Sequence, residues 1–247
     1  MQGHAIVASS SAALALGFVH TLLGPDHYAP FVAMSRIGNW SIRKTLLVTL
    51  ACGLGHIASS VLIGLAGVWL GVEVLALKSI ESLRADIAAW LLLAFGITYT
   101  AWGIWRGIKN RPHTHIHVHA DGVVHAHEHV HDQEHAHVHQ PIESTDATKT
   151  SAKVSRMTPW VLFTIFVFGP CEPLIPLLFY PASRGQTGGV LWVASLFALA
   201  TLVTMIAMVL ILRRGTELLS LSRWRRFDHA LAGCVVLMCG AALMLGY

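Results

Sequence analysis

The sequence predicts an all-α polytopic membrane protein. Six transmembrane helices would form two inverted three-helix repeats, with the first and fourth helices interrupted. Three observations predict this. Of the 247 residues, 54% are hydrophobic and 12% charged, where a soluble domain carries about 25% charged residues. Six apolar runs, at 8–34, 45–70, 87–106, 158–181, 189–212 and 229–246, approach or exceed the ~20 residues that cross a hydrocarbon core. Two of these runs carry Gly-Pro breaks at matching places.

The first run has no Lys or Arg before Arg36. It therefore lacks the basic region of a cleaved signal and is read as a span. Gly24, Pro25 and Pro30 interrupt it. The second run contains Gly53-Leu54-Gly55-His56, whose glycines let a neighbouring helix approach. The third is regular. The fourth is interrupted by Gly169, Pro170, Pro173 and Pro176. Proline removes an amide donor and clashes with the preceding turn, so both helices should break within the membrane. The fifth and sixth runs contain no proline.

The halves look related. Gly24-Pro25-Asp26-His27 matches Gly169-Pro170-Cys171-Glu172 in position, and Ser35-Arg36 and Ser183-Arg184 follow them. Three spans per half is an odd number, so the second half would run inverted, as in secondary transporters. The expected organisation is a first repeat over 1–106, a loop over 107–157 and a second repeat over 158–247. For six spans, fourteen basic residues fall on one side and three (Lys78, Arg84 and Arg184) on the other. The positive-inside rule then puts the long loop in the cytoplasm and both termini outside. The tryptophans fall near span ends, as an aromatic belt requires.

Ionisable groups inside a membrane are costly and mark function by default. Here they are His20, Asp26, His27, His56, Cys171 and Glu172. A single buried histidine is usually a packed, hydrogen-bonded one. Three histidines and an aspartate within two spans are not explained that way. Imidazole suits Ni, Co, Cu and Zn, and thiolate adds to that preference. Mg or Ca would want oxygen ligands. Cys171 and Glu172 are further ligand candidates from the second half, and Glu172 or Asp26 is a candidate proton carrier. Cys52, Cys234 and Cys239 have no partner at a ligand spacing and read as packing residues.

Eleven of the sixteen histidines lie in 113–139: His113, His115, His117, His119, His125, His127, His129, His131, His135, His137 and His139. Alternation at period two puts such residues on one face of an extended segment. Asp121-Gly122 between two runs is a hairpin signal, although the polar surroundings favour a disordered tract. His-rich tracts read as metal-gathering. Imidazoles with a pKa near 6.5 are mostly neutral and ligand-competent at cytoplasmic pH. Residues 140–157 read as a polar linker.

His20-Thr-Leu-Leu-Gly-Pro-Asp26-His27, together with Gly55-His56, resembles the nickel/cobalt transporter superfamily. That group includes nickel permeases, nickel/cobalt efflux proteins and urease-accessory membrane proteins. Five residues separate His20 from Asp26, where the permeases have four. The resemblance implies that His20, Asp26, His27 and His56 line a metal path. Gly169-Pro170-Cys171-Glu172-Pro173 is similar to the membrane domain of disulfide-reducing electron carriers related to cytochrome c biogenesis. Those carry a cysteine in each repeat, and here the equivalent of Cys171 is Asp26.

The expected function is an inner-membrane Ni²⁺ or Co²⁺ transporter, not an enzyme, with direction open. Zn²⁺ fits the same ligands. The ion is substrate, and no permanently bound cofactor is expected. The alternatives are a transmembrane thiol–disulfide carrier using Cys171, and a metallochaperone-like urease accessory membrane protein. Expected partners are the lipid bilayer, the divalent ion and a coupling proton, with a homo-oligomer left open. No ATP-binding motif occurs. The formal charge of +4 does not indicate nucleic acid.

Overall fold

The computed structural model describes residues 2–109, 113–118, 124–129, 159–218 and 227–246. The described chain opens with α1 (Gln2–Leu23), a 3₁₀ turn (Pro25–His27), α2 (Ala29–Ile37), α3 (Ile42–Trp69) and α4 (Val74–Lys109). Two short strands follow, β1 (His113–Val118) and β2 (Val124–His129). The remainder is α5 (Pro159–Phe168), α6 (Leu174–Ala182), α7 (Thr187–Leu218) and α8 (Asp228–Met244).

Local chemistry sets the boundaries. Ser41 caps α3, its hydroxyl oxygen accepting from the Lys44 amide at 3.2 Å. Pro25 has no amide hydrogen to continue α1, so α1 closes with the Gly24 amide donating to His20 O at 3.0 Å. Pro170 and Pro173 act in the same way between α5 and α6. Gly185, at φ +68°, takes the left-handed turn before α7.

Small residues let the helices approach. A methyl group at Gly96 of α4 would meet the backbone of Leu237 on α8, and one at Gly240 of α8 would lie 2.9 Å from Leu93 N. Close backbone approach through glycine is the usual way apolar helices associate. Gly17 does the same between α1 and α7, where an added methyl would sit 2.9 Å from Phe197 O. Two apolar clusters result. One contains Phe31, Trp40, Leu162, Phe166, Met205 and Val236. The other contains Ala13, Cys171, Leu174, Leu178 and Phe197. Large apolar side chains also cover the outside, among them Leu62, Trp69, Leu75, Ile211 and Met238.

The six-span layout is not seen. Among the described residues three helices are long and apolar enough to cross a membrane: Ile42–Trp69, Val74–Lys109 and Thr187–Thr216. A fourth is counted only if Val7–Leu23 and Pro25–Ile37, bent by 84°, form one span. The run at 158–181 divides into α5 and α6, of 10 and 9 residues. At 1.5 Å per residue each covers about 15 Å, half of a ~30 Å hydrocarbon core. The 17 residues of α8 also fall short of the span length. The stretch before residue 87, expected as an outer loop, is the first part of α4. The two inverted three-helix repeats of a polytopic transmembrane protein, with interrupted helices one and four as spans, therefore give way to three or four membrane-length helices. The Ni²⁺/Co²⁺ transporter built on that layout gives way with them. The division of basic residues between two faces presupposes six spans and loses its basis.

The His-rich segment also differs from the disordered tract expected. β1 and β2 form an antiparallel hairpin in which His113 faces His129, His115 faces His127 and His117 faces His125. His119, His131, His135, His137, His139 and the expected linker at 140–157 lie outside the described residues.

Candidate metal centre

Three histidines converge between the two apolar clusters. His20 lies in the last turn of α1, His27 ends the 3₁₀ turn and His56 lies midway along α3. The His20 and His27 rings are 4.7 Å apart, and the His27 and His56 rings 5.1 Å. Both pairs meet edge to face. One nitrogen from each ring lies within 4.8 Å of the others. His20 stands 6.5 Å from the Phe197 ring and His56 6.4 Å from the Phe166 ring, so aromatic side chains wall the site.

The break at Gly24 builds this geometry. A side chain at Gly24 would lie 2.6 Å from His27 Nδ1 and 2.9 Å from Asp26 Oδ1. Glycine alone leaves room for the chain to fold His27 back toward His20. His27 Nδ1 then lies 3.2 Å from Gly24 O and 3.2 Å from Asp26 Oδ1. The Gly24 carbonyl can only accept, so Nδ1 carries the proton and donates. The Nε2 lone pair of His27 is left buried and unshared among the described residues. A carboxylate behind a histidine is the usual outer partner of a metal ligand.

Among the described residues, His20 Nε2 and His27 Nε2 are buried without a hydrogen-bond partner, and the buried His56 ring meets only the Phe166 backbone. Buried polar atoms are rarely left unmet. The three imidazoles form a cluster capable of coordinating a divalent metal ion. Ordinary bonds of about 2.0–2.1 Å in a tetrahedral shell would put the nitrogens ~3.3 Å apart. The rings must therefore turn inward to share one ion.

The structure places the remaining sequence candidates elsewhere. Asp26 serves the site through His27 rather than joining the three nitrogens. Cys171 is fully buried as a free thiol among apolar residues, outside the histidine group. A relay at Cys171 requires a thiol that a partner can reach, and this burial counts against the thiol–disulfide alternative. Glu172 is exposed and lines an open cleft with Lys78, Ser82 and Pro176.

Two residues missed by the sequence reading lie close by. Glu81 and Arg84 are buried on α4 and form an ion pair. Their signal was available: opposite charges three residues apart share one helix face, and the Ala- and Leu-rich stretch around them favours helix.

No protein-family model, curated protein or solved structure matches this chain.

Proposed function

We propose that the protein is a membrane-embedded metal-binding protein that holds one divalent transition ion at His20, His27 and His56. The single observation that carries this reading is the convergence of three imidazoles whose His20 and His27 Nε2 atoms are buried with no hydrogen-bond partner among the described residues. The all-imidazole donor set favours Ni²⁺ or Co²⁺, with Zn²⁺ on the same ligands, over Mg²⁺ or Ca²⁺. Three or four membrane-length helices and an apolar exterior support residence in a lipid bilayer. Basic residues stacked on tryptophans support an interfacial end: Lys44 lies 4.7 Å from the Trp40 ring, and Lys109 4.9 Å from the Trp105 ring. The loop histidines form a second, exchangeable metal-gathering element. The test is a Co²⁺ titration of purified protein, read by visible absorption, for wild type and His27→Ala. A bound species present in wild type and absent from His27→Ala is expected. Identical titrations would sink the reading.

A further inference from the structure

Glu81 and Arg84 sit one turn apart on α4, buried in an apolar interior. Such a pair is costly unless its other donors and acceptors are met. Here they are met by the two segments that flank His56. Arg84 Nη1 donates to Glu81 Oε1 and to Ser60 Oγ, the latter at 2.9 Å. Arg84 Nη2 donates to Ser59 Oγ at 2.6 Å, to Val167 O at 2.8 Å and to Gly169 O at 3.0 Å. Glu81 Oε2 accepts from the Cys171 amide at 3.0 Å and from Ser60 Oγ at 3.3 Å.

These bonds reach the ligand from two sides. Ser59 Oγ, bound by Arg84, donates to the His56 carbonyl at 2.8 Å. Gly169, whose carbonyl Arg84 holds, backs onto the His56 ring, and a methyl group there would lie 2.9 Å from Nδ1. One guanidinium thus fixes both the backbone of His56 and the wall behind its ring. Its planar fork with five donors is what such a task needs, and an ammonium cannot replace it.

We propose that Arg84, oriented by Glu81, is a positioning residue for His56 that sets the affinity and coordination geometry of the three-histidine site. This rests on the reading that the cluster binds a divalent ion.

The experiment is a Co²⁺ titration of the full chain in detergent, following the d–d absorption lost in His27→Ala. Wild type is compared with Arg84→Lys and with the double variant Glu81→Gln/Arg84→Gln. The double variant leaves no unpaired buried charge and keeps polar groups at both positions, so it tests the proposal even where the single variant fails to fold. Circular dichroism melts report the fold separately. The expected result is Co²⁺ affinity about ten- to a hundredfold weaker, the usual cost of losing an outer-shell partner, with an altered d–d spectrum. A folded variant with the wild-type dissociation constant and spectrum overturns the proposal, and a lowered melting temperature with an unchanged spectrum reduces Arg84 to a structural staple. A wild type without any His27-dependent signal overturns the metal reading itself, which is a different failure.

Discussion

Gly169 packs directly against His56, leaving no room for a side chain: an added methyl would stand 2.9 Å from Nδ1 and 3.1 Å from Phe166 O. Gly169→Ala is therefore expected to push the His56 ring out of the cluster. Overpacking of this kind typically costs about 1–3 kcal/mol. A thermal melt should show the lower stability, and a Co²⁺ titration the weaker binding.

Metal should stabilise the fold. An ion that binds only the folded chain adds about 2.7 kcal/mol at a concentration a hundred times its dissociation constant. Melting temperature should rise with Ni²⁺ or Co²⁺ and fall back when EDTA is added. His56→Ala should lose the part of the shift that belongs to the buried site.

Asp26 acts through His27. Asp26→Asn keeps an oxygen that can accept from His27 Nδ1 but removes the carboxylate charge behind the ligand. Gly24 O still holds the tautomer. Affinity about tenfold weaker is expected from titration, at the mild end of outer-shell effects.

The hairpin register makes a prediction that a shapeless polyhistidine tract does not. In an antiparallel ladder, directly paired residues are in general near enough to share one ion. Replacing His115 and His127 by Ala removes one facing pair and leaves two of the three. Replacing His113 and His127 removes as many histidines but leaves one pair. The second variant should retain less Ni²⁺ at equilibrium dialysis. Equal retention would mean that the register plays no part.

Burial separates the four thiols. Cys52, Cys171 and Cys239 are buried and Cys234 is exposed. In detergent, N-ethylmaleimide should label Cys234 before the other three, which should react only after unfolding. Mass spectrometry of the labelled peptides checks this.

The histidine cluster was legible because an imidazole in an apolar run stands out by its cost alone, wherever the chain bends. The spans were less so. Hydropathy registers how apolar a run is and not whether its helix continues. The run at 158–181 is apolar throughout, yet Pro170 and Pro173 leave two helices of 10 and 9 residues. Glu81 and Arg84 carry a helical i, i+3 signal in the sequence, but not the fact of their burial. Charges in a short stretch between two apolar runs look like a solvated loop. Only tertiary packing shows that Ser59, Ser60 and the backbone at 167–171 satisfy them.

The 84° bend after α1 separates His20 from His27 along the chain while bringing their rings to 4.7 Å. In a straight helix, seven residues would rise about 10 Å, too far for two imidazoles to grip one ion. The ligand pair exists only while the chain is bent. An ion held by both rings would tie the two arms of the elbow together across Gly24.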